Sequence, residues 1–388
     1  MSENKKTKKL IRAVFFVLFV FLIGIFSSLI FEGYLLPKIS LSPTFSKYGI
    51  FKKFSESVTI VNKTEQIVVS EENSVNKIAS QASASIVNII SIPNNKSKLN
   101  VNLPSAAKNG TGVILTSDGL IATYRSAIIE NDASYKIALF NGSSFEASLI
   151  GVDEFTNLAF FKIDTSNLSI ISFANSDDFV SGKKLIAIGA SFEKYQNRYS
   201  EGILSYINKT FNISGKTLSS SEKLEGVFEA DIAFPKDYLG GIIIDYNGEL
   251  AGIIGSVVID NQEKFFQITS NVIKNSMEFA IKNELGNRPY LGIYYLPITQ
   301  TYAIKNNLNR DQGAIIFSPS GKQGLAIISG SPAEKAGLKI NDIIIALDGK
   351  EINLDNPLSD LLNRHKKGDQ LEFTVIRNEQ EIKVPVKL

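Results

Sequence analysis

The chain has 388 residues, 44% of them hydrophobic and 21% charged, a composition that folds into about two or three domains with at least one large core. Its 41 Lys and Arg stand against 39 Asp and Glu, and the resulting net charge of +2 argues against a nucleic-acid footprint. With no Cys and a single His, disulfides, thiolate metal sites and His clusters are excluded, and no cofactor or metal is expected.

Residues 1–12 form a basic tail carrying Lys5, Lys6, Lys8, Lys9 and Arg12, and an uncharged apolar run follows from Ala13 to Phe31. As a helix this run spans roughly 28 Å, close to the hydrocarbon thickness. A retained single-pass anchor over 13–33 is therefore expected, with a cytoplasmic N-terminus and the rest of the chain outside. The competing reading, a cleaved signal peptide, calls for a shorter apolar region and a small-residue cleavage site. Residues 34–71, with Pro37 and Pro43 and no sustained period, read as a linker.

Residues 74–81 read as a short helix and 84–92 as a Val/Ile-rich strand. Short β runs then recur at 112–115, 120–123, 135–140, 147–152, 159–163, 184–188, 202–207, 227–230, 241–245 and 249–254. Many short strands at this spacing indicate an all-β barrel or sandwich. Asn141-Gly142 and Asn247-Gly248 are turn dipeptides, because both residue types tolerate positive φ. Residues 270–283 read as an amphipathic helix. A junction falls near Gly286 and Asn287, which divides the folded part into 72–287 and 288–388. In the second part, the segment from Gly330 reads as a short helix that Gly337 stops. A buried strand and an Asp348-Gly349 turn follow, and 357–365 reads as another helix.

Three segments resemble the catalytic segments of the HtrA (Deg) family of trypsin-like serine proteases: Gly110–Thr123, Asp153–Lys162 and Asp231–Gly252. The segments Arg288–Ile293 and Gly330–Ile352 resemble that family's PDZ domain. The resemblance implies a mainly β protein, a chymotrypsin-like double β-barrel followed by an α+β PDZ domain. It also implies a possible homotrimer or association with an active relative.

At the three positions where the family carries His, Asp and Ser, this chain has Ser126, Asn157 and Leu239. A leucine offers no nucleophilic atom, and Asn loses the charge that stabilises an imidazolium. Asp237 replaces a glycine whose N–H serves the oxyanion hole in the family. The expectation is a chain that is not an enzyme: a membrane-anchored pseudoprotease acting as scaffold, adaptor or regulator in protein quality control. Two alternatives stand beside it, a serine endopeptidase with a Ser–Lys site (Ser126, Ser191 or Ser256 with Lys162, Lys183 or Lys236) and a chaperone-like holdase. PDZ-like domains add an extended peptide to a sheet edge and hold its carboxylate on backbone N–H groups. Tyr290, Leu291, Gly292 and Ile293 match that loop and strand. Leu358, Leu361 and Leu362 are candidates for the apolar side of the groove, or for core. The expected partners are peptides and protein termini outside the membrane.

Overall fold

The computed structural model describes residues 3–31, 75–94, 107–190, 197–322 and 325–388. The predicted linker 34–71 and Ser191 lie outside the described residues. Among the described residues the N-terminal unit holds the helix α1, over Glu3–Ile30. The apolar side chains placed on it, 14–28, are all exposed. Among the described residues no helix is long and apolar enough to cross a membrane, and of the anchor expected over 13–33 the structure shows α1 as far as Ile30.

The rest of the chain, Lys77–Leu388, is one compact unit. A helix over 75–83 leads into β1 (Ile86–Pro93), and β2 (Lys108–Ile114), β3 (Leu120–Tyr124), β4 (Ala133–Leu139), β5 (Ser144–Asp153) and β6 (Leu158–Ile163) follow. These six close into an antiparallel barrel of order β1-β2-β3-β6-β5-β4. Period-two alternation in β1 and β4 turns Val87, Ile89, Tyr135, Ile137 and Leu139 inward onto Phe161. Each such side chain contributes about 1.5–3 kcal/mol through burial.

The second barrel uses β7 (Lys184–Ala190), β8 (Asn197–Asn212), β10 (Glu225–Ile232), β11 (Ile242–Asp245), β12 (Leu250–Ile259) and β13 (Gln262–Thr269). Its order is β10-β13-β12-β11-β7-β8. Between β8 and β10 lies a two-residue strand, β9 (Ser219–Ser220), that belongs to neither barrel. Strand β3 is buried along its whole length because the second barrel covers its outer face. Tyr124 meets Phe266 of β13 edge to face at 5.7 Å.

After the helix Ser270–Ile281 the chain builds a third sheet from β14 (Tyr294–Pro297), β15 (Ala314–Ile316), β16 (Ile343–Leu347), β17 (Lys350–Glu351), β18 (Gln370–Arg377) and β19 (Gln380–Lys387). The sheet order is β19-β18-β16-β15-β14-β9, so the strand from the barrel region completes it. The helix Pro332–Lys335 is capped by Ser331 Oγ, which accepts from Glu334 N at 3.2 Å. The protein is therefore mainly β, a double barrel followed by a smaller α+β domain.

One buried ion pair joins these parts. Asp153, at the end of β5, has a fully buried carboxylate. It accepts from Phe155 N at 3.0 Å, Thr156 Oγ1 at 3.0 Å, Ser276 Oγ at 2.6 Å and Arg288 Nε at 3.0 Å, and Arg288 Nη2 bonds its other oxygen. Arg288 Nη1 reaches Asn363 Oδ1 at 2.9 Å, and the guanidinium stacks over Phe279 at 3.8 Å. Removing one partner of a buried pair leaves an uncompensated charge, which costs about 3–5 kcal/mol. Arg288→Met should lower unfolding stability by that amount in urea titration, whereas an exposed pair such as Lys136–Glu146 should lose at most about 1 kcal/mol on Lys136→Met.

Candidate functional site

Ser126, Asn157 and Leu239 converge where the two barrels meet. Ser126 sits in the 3-10 turn Arg125–Ala127 that ends β3, and Arg125 N donates to Asn157 O at 2.8 Å. Gly240, next to Leu239, lies so close to Thr123 and Ala127 that any Cβ there would collide with them, and its φ is +76°. Asn157 itself has φ +58°, and its Nδ2 donates to Tyr124 Oη at 3.3 Å. Its Oδ1 accepts from Lys223 Nζ at 2.9 Å. Burial pushes the Tyr124 hydroxyl pKa up to about 12, so this phenol stays neutral beside Asn157.

The backbone before Leu239 forms the 3-10 turn Pro235–Tyr238. Asp237 N donates to Phe234 O at 3.0 Å and Leu239 N to Lys236 O at 3.3 Å, so the turn uses both N–H groups internally. The Asp237 carboxylate pairs with Arg198 Nη1 at 2.7 Å.

The Ser126 and Ser256 hydroxyls lie 3.4 Å apart. Of the lysines considered with them, Lys162 pairs with Asp118 and Lys183 with Asp245. Lys108 reaches the serine side of this site, where its Nζ donates to Ser126 O at 2.6 Å, as Lys223 reaches Asn157. No spacing in the sequence singles Lys108 out, because it arrives across the β1–β2 side of the first barrel.

A second site lies on the α+β domain. Leu358, Leu361 and Leu362 have 0%, 3% and 1% of their surface exposed and belong to that domain's core, with Leu291 and Ile293. Tyr290 stays 40% exposed. Gly292 has φ +84°, and a Cβ there would strike the Ser331 side chain, so packing within the loop requires glycine. The N–H groups of Leu291, Gly292 and Ile293 point at the segment before β10. Leu291 N donates to Glu222 Oε1 at 3.1 Å and Gly292 N to the same oxygen at 2.8 Å. Ile293 N donates to Ser221 Oγ at 3.1 Å, and Ser221 N to Ile293 O at 3.1 Å. Strand β9 pairs antiparallel with β14, Tyr294 opposite Ser220 and Tyr295 opposite Ser219. Below this pairing the Tyr295 hydroxyl donates to Glu225 Oε2 at 2.6 Å and Ser219 Oγ to Glu225 Oε1 at 2.8 Å.

Two six-stranded barrels followed by a smaller α+β sheet define the class of trypsin-like serine proteases with a PDZ domain. The trypsin-like peptidase domain family matches residues 110–253, and the PDZ domain family matches 289–388. The chain is 31% identical over 290 residues to "Serine protease Do-like HtrA" of Bacillus subtilis, covering 72% of this chain and 61% of that protein. It is 29% identical over 283 residues to "Probable periplasmic serine endoprotease DegP-like" of Chlamydia muridarum, covering 72% and 54%. The chain thus spans little more than half the length of these relatives. The solved structure "HtrA-type protease AlgW with tripeptide" shares the fold at a TM-score of 0.63 and 23% identity, over 80% of this chain and 95% of that one. The chain belongs to the HtrA (Deg) family.

These relatives are named serine proteases, and that overturns the expectation that the chain is not an enzyme. The expectation rested on four positions, Ser126, Asn157, Leu239 and Asp237, whereas the match extends over both barrels and the PDZ domain.

Burial raises the Glu225 carboxyl to about 7, against the opposing hydrogen bonds from Tyr295 and Ser219, and burial raises Asp360 to about 6. The fold therefore favours protonated Glu225. That contribution is complete below the ordinary glutamate range and is lost as pH rises through about 7. Melting temperature should fall by several degrees between mildly acidic and mildly alkaline pH, and Glu225→Gln should flatten that slope in a thermal-shift series.

Proposed function

We propose that this chain is an extracytoplasmic HtrA-type protein that captures extended peptides or protein C-termini through its PDZ domain, in protein quality control. The observation that carries the reading is the loop Tyr290–Ile293, in which the N–H groups of Leu291 and Gly292 converge on one carboxylate oxygen, beside strand β14. Backbone N–H groups gathered in this way hold a terminal carboxylate, and strand addition holds the residues before it. The periplasmic naming of the Chlamydia relative supports the compartment. The apolar run 13–31, with its basic flank, supports attachment to a membrane; the exposed stretch placed on α1, 14–28, is the middle of that run. Titrating the full chain with one peptide as free acid and as C-terminal amide tests capture. The free acid should bind about tenfold tighter, since a charge-assisted hydrogen bond contributes roughly 1.5–3 kcal/mol; equal affinities would sink the carboxylate site.

A second reading, peptide hydrolysis, is favoured by one cluster. Ser126 Oγ and Ser256 Oγ lie 3.4 Å apart, and the Lys108 ammonium is bonded to the Ser126 carbonyl. In this reading Ser126 is the nucleophile, with the Ser256 hydroxyl and the Lys108 ammonium as its polar neighbours. A fluorophosphonate probe should label the protein, and Ser126→Ala should abolish the label. Absence of labelling, or labelling that survives Ser126→Ala, rejects Ser126 as the nucleophile.

A further inference from the structure

The N–H groups of Leu291 and Gly292 in the carboxylate loop are already engaged, and the group that engages them is a carboxylate of the same chain. Glu222 Oε1 accepts from Leu291 N and Gly292 N, while Ser221 Oγ donates to Glu222 Oε1 at 2.6 Å and Ser220 Oγ to Oε2 at 3.1 Å. The residues before Glu222 lie on the edge of β14. Ser219 stands opposite Tyr295, Ser220 opposite Tyr294, and Ser221 exchanges bonds with Ile293. Because this strand is antiparallel to β14, it runs toward the loop and delivers its last residue there. A peptide that adds to a sheet edge and ends in a carboxylate has the same direction, register and terminal charge.

We propose that Ser219–Glu222 is an internal ligand of the PDZ groove, and that an incoming C-terminal peptide must displace it. The inference rests on the peptide-capture reading and specifies how that site is regulated.

Three further observations fit a displaceable occupant. The segment is short and polar, four residues of Ser-Ser-Ser-Glu with no apolar side chain to anchor it in the groove. Its carboxylate comes from a side chain on a longer lever than a chain terminus, which adds rotamer entropy to the cost of staying bound. Beside Glu222 lies a cavity of about 200 Å³, lined among others by Phe155, Arg288, Tyr290, Ser359 and Asn363, through which a second carboxylate can approach.

An occupied groove weakens apparent affinity by the fraction of molecules in which it is open. Removing the internal carboxylate should therefore open the groove and tighten binding of any peptide that enters it, the free acid remaining the tighter ligand. The experiment titrates the full chain, as wild type, Glu222→Ala and the near-isosteric Glu222→Gln, with an apolar-ended peptide as free acid and as amide. In parallel, hydrogen exchange follows the amides of Leu291 and Gly292. The expected result is about a tenfold or greater gain in free-acid affinity in both variants, with the amide still the weaker ligand, and faster exchange at the two amides. Equal free-acid affinity in wild type and variants overturns the internal ligand and leaves peptide capture standing. Absence of free-acid binding in all three proteins overturns peptide capture and the internal ligand with it. Glu222→Gln guards against a folding defect, because it keeps the side-chain shape while removing the charge.

Discussion

The interaction on which the rest of the structure depends is the buried Asp153–Arg288 pair. Its carboxylate ends a strand of the first barrel, Ser276 comes from the helix after the second, and Arg288 opens the third sheet. Every oxygen of Asp153 has donors, so the charge is compensated in place. The guanidinium can serve three directions at once because its five donors are fixed in a plane; a lysine ammonium would keep the charge and lose the fork. With this joint in place the PDZ sheet cannot rotate freely about its connection, and its open edge is held against the chain between β8 and β10.

That held edge links the two candidate sites. Residue 222 lies in the carboxylate loop, and the next residue, Lys223, reaches back to Glu154 Oε2 at 3.1 Å and Asn157 Oδ1 at 2.9 Å. One short segment therefore touches the PDZ groove with one side chain and the inter-barrel site with its neighbour. Glu225, three residues further on, is sealed beneath it against Tyr295. Polar groups buried in such numbers require that all partners be present together, which gives the segment a single register.

Much of the barrel was legible in the sequence, since Val- and Ile-rich runs between Gly, Asn and Asp reflect local strand and turn preferences. The Asp348-Gly349 turn has positive φ at both residues, as those residue types imply. Strand β9 was not legible. Ser-Ser carries no β pattern, and it is extended only because β14 offers an unpaired edge. The partners of Arg288 were equally hidden, because Asp153 lies 135 residues away and nothing local signals the pair. At the inter-barrel site the sequence located Ser126, Asn157 and Leu239, but it gave no hint of Lys108 or Lys223, whose side chains arrive from other strands and loops.

Strand β9 also changes what it means to separate the two halves of this molecule. The covalent thread between them passes through Leu285, Gly286 and Asn287, and a nick there would leave β9 in its sheet and Arg288 in its socket. The cut chain would behave as a pair of complementing fragments, each supplying a part the other lacks. A PDZ fragment beginning at residue 288 would, conversely, carry a bare strand edge and an arginine without its carboxylate. Such an edge is open to pairing with other copies, so the isolated fragment would trade its built-in neighbour for self-association.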